Sequence, residues 1–263
     1  MMSLFQSKPL LDEESVQWMM DCYAWALQNF DARVFYNETM LVVPSNEHFP
    51  GQEESPEGRA KLILEQVKRH AGMANWPVYM VDEQEFVASD VAANPPKMLG
   101  NSTIRGDQAI VPQLTEPNDR LLVAYQPDLL RNPQALIANY VQMLAHYLGS
   151  TAQQPPPGGT DNWPHVTELL GVFLGFGLMF ANTAYNVRVS SCGSCQGPSA
   201  ERVNYLSQYD ISYALAIFSA LKGIPNKQVT AYLKKTLRPF YKKAVNDVMG
   251  RQDALNRLKE FQS

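Results

Sequence analysis

The residue with the clearest capacity for chemistry is His146, near the end of the stretch LIANYVQMLAHYLGS, residues 136–150. Apolar residues recur there at helical spacing, and Asn139, Gln142, His146 and Ser150 form a polar stripe. Imidazole is a common zinc ligand and the side chain most often used as a general acid or base. A lone histidine on such a stripe is equally typical of the solvated face of an ordinary half-exposed helix, and both interpretations stay open at this point.

The pair Cys192 and Cys195 forms a C-x-x-C motif, CGSC, in a stretch rich in serine and glycine. Redox motifs of this kind begin a helix that follows a strand, whereas this pair follows an apolar helix. Cys22 is the only further cysteine in the sequence, so a site with four thiolates is excluded. Two ordinary thiols are favoured, with a loop disulfide or half of a metal site as alternatives.

The segment KGIPNKQVTAYLKKTLRPFYKK, residues 222–243, holds seven basic residues and no acidic residue. Such a surface attracts phosphates in a salt-dependent way, and interleaved aromatic residues strengthen the likeness to an anion-binding surface. A solvated pair of helices whose lysines balance acids elsewhere is the more ordinary explanation. A protein partner or an anionic surface is therefore a hypothesis for 222–243, and the sequence contains no specific nucleic-acid motif.

The stretch LLGVFLGFGLMFANTAYNV, residues 169–187, carries no charge. Its strictly apolar part, Leu169 to Ala181, would cover about 20 Å as a helix, which is short of the roughly 30 Å of a bilayer core. Three glycines interrupt it, and they favour close packing against other helices. We predict a buried core helix, with membrane association through 169–187 as the alternative.

The elements that position these residues are predicted by hydrophobic periodicity and by start and stop residues. The class is α+β, with a small mixed sheet and helices in residues 1–150 and a helical second half in residues 151–263, together forming one compact unit. Residues 83–107 are predicted to be irregular. Strands are predicted at 38–44, 78–82, 108–112 and 120–126, and helices at 12–30, 55–73, 132–150, 165–187, 207–222, 226–237 and 239–249.

Composition limits the classes of protein to which the chain can belong. Hydrophobic residues make up 45% and charged residues 18% of 263 residues, as in folded globular proteins. The formal net charge of −4 gives no overall attraction to nucleic acid. The first fifteen residues contain no basic segment followed by an apolar core, and three cysteines suit a reducing compartment. A cytoplasmic location is therefore predicted.

Several motifs, in order along the chain, resemble a group of uncharacterised bacterial proteins related to gluzincin-type zinc metallopeptidases. The resemblance covers roughly residues 12–245 and implies a zincin-like fold with a zinc-binding helix around His146. It rests on a tryptophan-rich first helix and on the stretches LVVPSNEHFPG, VAYQPDLLRNPQALIANYVQMLAHYLGS, VTELLGVFLGFGLMFAN and VNYLSQYDISYALAIFSALKG.

The resemblance implies specific roles for four positions. The family's first metal histidine falls on His146, its general-base glutamate on Tyr147, its second metal histidine on Ser150 and its acidic ligand on Glu168, so the H-E-x-x-H motif is here H-Y-L-G-S. Catalytic zinc needs three protein ligands and a water. Neither a serine hydroxyl nor a phenol with a reference pKa of about 10 replaces the lost groups at neutral pH. His146 and Glu168 are therefore expected to be vestigial, unoccupied ligands, with Tyr147, Ser150 and His165 lining the cleft.

Three functional hypotheses follow. The first is a catalytically inactive metallopeptidase-like protein that holds no cofactor and serves binding, structure or regulation. The second is an active metal-dependent hydrolase with a rebuilt zinc site of His146, His165 and Glu168, because His165 lies three positions before Glu168. His48 and His70 are remote in sequence but could approach such a site in space. The third is an interaction module that uses the basic C-terminal helices or the apolar helix 169–187.

Overall fold

The computed structural model describes residues 9–92, 94–96, 98–99, 104–110, 113–116, 120–188, 199–202 and 205–262, in which helices predominate. The helices are α1 (Glu13–Asn29), α2 (Ala32–Asn37), α3 (Pro56–His70), α4 (Glu83–Ser89), α5 (Pro133–Ser150), α6 (Trp163–Gly171), α7 (Gly177–Thr183), α8 (Gln208–Lys222), α9 (Asn226–Tyr232), α10 (Arg238–Gly250) and α11 (Gln252–Lys259). A π-helical segment, Val172–Phe176, joins α6 to α7, and 3₁₀ turns lie at Pro127–Arg131, Thr160–Asn162 and Glu260–Gln262.

The strands form small pairs. The strands are β1 (Val78–Val81), β2 (Met98–Leu99), β3 (Gln113–Leu114), β4 (Leu121–Ala124), β5 (Tyr185–Arg188) and β6 (Ser199–Arg202). β1 pairs with β4 in parallel, β2 with β3 antiparallel and β5 with β6 antiparallel. The α+β class is thus confirmed in its coarse form, but the strands of the described chain form three separate pairs where one small mixed sheet was predicted.

Helix starts are the most accurately predicted features. Asp12 caps α1, Ser55 caps α3 ahead of Pro56, and Asn132 caps α5, each through a side-chain oxygen that accepts a backbone N–H three residues on. These predictions succeed because a cap depends on a few consecutive residues and not on the rest of the fold.

Several other boundaries differ from the prediction. Residues 83–89 form α4, whereas an irregular segment was predicted, and the stretch 185–187 belongs to β5 instead of extending the preceding helix. The predicted strand at 108–112 is not formed over 108–110, and a strand begins at Gln113 instead. Helix α9 ends at Tyr232, five residues early, and α11 was not predicted.

The strand predicted at 38–44 is also wrong. Val42 pairs with no strand of the described chain; its amide donates to the carbonyl of Gly175 at 2.9 Å. Leu41, Val42 and Val43 are buried, so their apolar character reflects burial against the π-helical segment. Gly175 has φ +96°, and a Cβ added there would lie 2.1 Å from the Met40 carbonyl oxygen. Only glycine permits this approach between the extended segment and the π-helical segment.

The apolar segment that raised the alternative of a membrane helix lies inside the protein. Residues Thr160–Thr183 form one run of 24 residues that is long and apolar enough to cross a bilayer, and its most apolar window is wholly buried. Gly171 faces the ring of Phe180, where a Cβ would be 2.4 Å from the ring. The glycines therefore allow close packing, as predicted for a core helix.

Helix α5 connects the two predicted halves of the chain. It packs against α3 and β4 from residues 1–150 and against α6 and α7 from residues 151–263. Buried residues of both halves belong to one hydrophobic cluster. The position of α5 in this core decides which of its side chains can reach a cleft.

Candidate functional site

His146 is held in one orientation by a tryptophan. The indole Nε1 of Trp163, the first residue of α6, donates to His146 Nδ1 at 2.9 Å, so the neutral ring carries its proton on Nε2. Burial lowers the pKa of His146, and the Val91 backbone offsets part of this effect. His146 Nε2 is buried and makes no hydrogen bond of normal geometry to a described residue. The imidazole is thus neutral and fixed, with Nε2 as its one remaining ring nitrogen.

Tyr147 does not line the cleft as predicted, because its side chain points to β4. Its hydroxyl donates to the Leu122 carbonyl at 2.6 Å and accepts from the Leu122 amide at 2.9 Å. The side chain is fully buried, and burial raises the pKa of the phenol. Tyr147 therefore completes the hydrogen bonding of a strand edge and cannot act as a base at neutral pH.

Ser150 is used within its own helix. Its Oγ donates to the Tyr147 carbonyl at 2.7 Å, in the last turn of α5. This bond satisfies a carbonyl group that the end of a helix leaves without an amide partner. Ser150 therefore has a local structural role at the position that the resemblance gives to the second metal histidine.

Glu168 is almost fully buried, with 1% of its surface exposed, and it holds the chain that leads into α8. Its Oε1 accepts from the Tyr205 amide at 2.8 Å and its Oε2 from the Leu206 amide at 2.7 Å. Directly afterwards, Ser207 and Asp210 form a capping box that begins α8. Glu168 is an anchor for this turn, and both of its oxygens have backbone donors.

The structure separates the two histidines of the predicted rebuilt site. His146 lines a cavity of about 300 Å³ between α5 and α6. His165 lines a different cavity of about 560 Å³, beside Trp18 and Asp210. No group of three or more His, Cys, Asp or Glu side chains within the described part of the chain could hold a metal ion.

His48 and His70 stack on each other, with ring centroids 5.2 Å apart, and pack the loop before α3 against the end of that helix. His70 Nε2 lies 2.7 Å from the His48 carbonyl oxygen, and His48 Nδ1 accepts from the Val43 amide at 3.1 Å. These bonds give the two histidines a structural role in the loop. Neither of them lines the cavity beside His146.

The cavity beside His146, which we call the α5–α6 cleft, has a polar but uncharged wall. Its floor is the stripe Asn139, Gln142 and His146, which was predicted to share one face of α5. Asn139 Oδ1 is buried without a described partner. Its other walls are Ala92, Met143, Trp163, Pro164, Thr167 and Tyr205. None of these residues is an acid, lysine or arginine, so the cleft suits an uncharged polar or aromatic molecule better than an ion.

Trp163 and Leu122 are among the partners that the sequence does not reveal directly. A tryptophan N–H that is taken out of water needs an acceptor. The tryptophan in the DNWP stretch therefore indicated that a hydrogen-bond acceptor lies near Trp163. Leu122 offers only backbone groups, which no side-chain pattern reveals.

The basic segment 222–243 is less exposed than its composition suggests. Lys222 Nζ donates to the Phe35 carbonyl at 2.7 Å and also bonds the Tyr36 carbonyl, at the end of α2. Arg238 donates to the Leu233 carbonyl at 3.1 Å, just after α9. The lysines of this segment that remain exposed are Lys227, Lys234, Lys235 and Lys242.

Of the cysteines, only Cys22 belongs to the described residues. Its side chain is buried within α1, and burial raises the pKa of the thiol, which makes it unreactive. The predictions for Cys192 and Cys195 lie outside the described residues.

Comparison of the chain with protein families, with curated proteins and with solved structures gives no match in any of the three.

Proposed function

We propose that this chain is a metallopeptidase-like protein without catalysis, in which the α5–α6 cleft binds a small uncharged ligand. One observation carries the proposal. The side chains at three of the four positions that the resemblance assigns to zinc chemistry are hydrogen-bonded to the protein's own backbone: Tyr147 to Leu122, Ser150 to Tyr147 and Glu168 to the amides before α8.

This use of the side chains argues against hydrolysis. A metal-bound water needs a cation held by three ligands and a nearby base. His146 offers one ring nitrogen, because Trp163 occupies the other. Moving Glu168 towards a metal would leave the Tyr205 and Leu206 amides without their acceptors, which costs more than an ordinary hydrogen bond. A structural role for Glu168 is therefore favoured over a vestigial metal site.

The experiment that tests the absence of catalysis is metal analysis of protein purified without chelator. We expect far less than one zinc per chain in the unaltered protein. Ser150→His restores an i,i+4 histidine pair and leaves the Tyr147 side chain in place, so it should raise zinc affinity. Adding His146→Ala to this variant should remove that gain.

Two results would contradict the proposal. The first is a measured content of about one zinc per chain in the unaltered protein, together with loss of that zinc in the His146→Ala variant. The other is a folded Ser150→His variant that gains no zinc affinity, because it would show that residues 146 and 150 do not stand where the resemblance places them.

Ligand binding in the cleft is tested separately, with indole and benzamide as neutral aromatic probes. Saturation-transfer NMR should show contact between a probe and the unaltered protein, and Gln142→Leu should weaken it, since Gln142 lies on the cleft floor. Gln17→Leu on α1 is the matched control, because Gln17 bonds Asp21 away from the cleft. Equal signals from both variants would count against a ligand site in the cleft.

A second function, binding to an anionic surface, is supported by the exposed lysines. Lys227, Lys234 and Lys235 make no ion pair with any residue that the structure describes. Reversing Lys234 and Lys235 to glutamate should abolish sedimentation with phosphatidylserine vesicles at low salt. Sedimentation that persists in the variant, or that is unaffected by salt, would exclude this second function.

A further inference from the structure

A further concave surface, which we call the α3 groove, lies between residues 46–53 and α3. It has a volume of about 430 Å³ and is bounded at one end by Pro133. Pro133 of the groove and Asn139 of the α5–α6 cleft are six residues apart on α5, so the two surfaces are separated by about 9 Å along that helix. Phe49, Leu62 and Ile63 provide its apolar wall. The volume and lining are those of a small-ligand or peptide site.

The wall of the groove is held in place before any ligand arrives. The Phe49 ring packs against His70 at a centroid distance of 5.7 Å, and the Phe49 amide donates to the Ser45 carbonyl at 3.0 Å. His70 in turn bonds the His48 carbonyl. The loop is therefore fixed to α3 at the end nearest Phe49, so little ordering is needed on binding.

Gln66 has a buried amide oxygen without a partner, and it lines this groove. Only 9% of the residue is exposed, and Oε1 is buried with no hydrogen bond. The nitrogen of the same amide is not among the buried atoms without a partner, so it stays open to solvent. A buried oxygen in this condition destabilises a protein, and such groups are rare. A carboxamide offers one acceptor and a donor group, which complement the N–H and C=O of a peptide unit.

Arg59 lines the same groove two helical turns earlier. Residues seven positions apart share a helix face, and at 1.5 Å per residue they lie about 10 Å apart along the axis. Arg59 is exposed and makes no ion pair in the described chain, whereas Lys61 pairs with Glu57 on the same helix. A guanidinium that is free to form two parallel hydrogen bonds is the side chain best suited to a carboxylate.

We propose that the α3 groove binds the C-terminal end of a peptide. The terminal carboxylate pairs with Arg59, a backbone amide of the peptide pairs with Gln66, and apolar side chains contact Phe49, Leu62 and Ile63. The distance of about 10 Å between the two polar groups corresponds to about three residues of extended chain. Glu53 also lines the groove, and its negative charge disfavours peptides that carry an acidic side chain in addition to the terminal carboxylate. This site is independent of the function proposed for the α5–α6 cleft.

The test is calorimetric titration of the full chain with N-acetyl-Ala-Leu-Leu and with the same peptide carrying a C-terminal amide. We expect the acid to bind at least tenfold more tightly than the amide. Arg59→Gln should remove this preference and leave the affinity for the amidated peptide unchanged. Gln66→Leu should weaken both peptides at least tenfold and raise the melting temperature, because it removes a buried oxygen without a partner. Lys61→Gln is the matched control and should change nothing.

Other outcomes overturn the proposal. Equal affinities for acid and amide, or no binding of either to folded protein, would exclude a carboxylate site. If Lys61→Gln lowered the preference for the acid as much as Arg59→Gln does, that preference would come from the overall positive charge of the surface and not from a specific carboxylate site. A lower melting temperature in Gln66→Leu would show that the amide is satisfied within the fold and is not kept for a ligand.

Discussion

The hydroxyl of Tyr147 satisfies both backbone groups of Leu122, donating to its carbonyl at 2.6 Å and accepting from its amide at 2.9 Å. The Tyr125 amide donates to the Val81 carbonyl of β1. Because backbone N–H and C=O groups alternate in direction along a strand, those of Leu122, three residues earlier, point away from β1. One phenol therefore takes the place that a further strand would fill. This relationship joins the helix that contains His146 to the small parallel sheet.

Tyr147→Phe tests the importance of this contact. The substitution keeps the ring but leaves the N–H and C=O of Leu122 buried without partners, which costs about 1–3 kcal/mol per group. We expect the free energy of unfolding, measured by urea denaturation, to fall by at least about 2 kcal/mol. Tyr140→Phe is the control on the same helix, because among the described residues its hydroxyl bonds only the Met80 sulfur, at 3.4 Å. Equal losses in the two variants would show that the Leu122 bonds are not important for stability.

Glu168→Gln tests the anchor before α8. A carboxylate accepts from both the Tyr205 and Leu206 amides, whereas a carboxamide would turn its NH₂ towards one of them. We expect a loss of about 1.5–3 kcal/mol in the free energy of unfolding, the range for hydrogen bonds to a charged group. Glu85→Gln, which breaks an exposed ion pair with Arg120, should cost at most about 1 kcal/mol. A stable Glu168→Gln variant would mean that the carboxylate is not needed for the fold.

The predictions from sequence succeed where the cause is local. Asp12, Ser55 and Asn132 cap helices because a short polar side chain reaches its own backbone three residues on. The parallel strands at Val78–Val81 and Leu121–Ala124 were also located, since both are short apolar runs bounded by turn residues.

The roles of the site residues could not be predicted because their partners are distant in sequence. Leu122 lies 25 residues before Tyr147, and the amides that Glu168 accepts from lie 37 and 38 residues after it. Three of the four residues in the predicted polar stripe of α5, Asn139, Gln142 and His146, line one cavity, whereas Ser150 does not. The contact with Trp163 depends on how α6 docks. The extended segment at 38–44 was misassigned because burial alone makes a sequence apolar, whether or not the segment joins a sheet.

Gly175→Ala tests the contact between the extended segment and the π-helical segment. The new Cβ would lie 2.1 Å from the Met40 carbonyl oxygen, at a φ of +96°. We expect a loss of at least about 2 kcal/mol in the free energy of unfolding, from strain and from displacement of the segment around Val42. Gly250→Ala is the control, since nothing lies within 4 Å of its added Cβ, and it should be neutral or stabilising by about 0.5–1 kcal/mol. A small effect at Gly175 would contradict the close approach.

Stability should fall as the pH drops from 7.5 to 5.5. Burial is the main cause that lowers the pKa of both His146 and His70. Below the unfolded pKa of about 6.5, the unfolded chain binds protons that the folded chain resists, so the free energy of unfolding decreases with falling pH. The contribution of the two histidines to stability is complete above pH 6.5. It is lost as the pH falls through their lower pKa values in the folded protein. Carboxylates whose pKa is lowered, such as Asp247, act only nearer pH 4.

The His146→Asn variant measures how much His146 contributes to this pH dependence of stability. Asparagine can still accept from the Trp163 indole but has no titrating ring, so the variant should show a shallower dependence of unfolding free energy on pH between 7.5 and 5.5. Adding His70→Asn should flatten it further. Urea denaturation at constant ionic strength measures both slopes. An unaltered slope in the double variant would show that neither ring is held neutral by the fold, and it would remove the case for a fixed, uncharged His146 in the α5–α6 cleft.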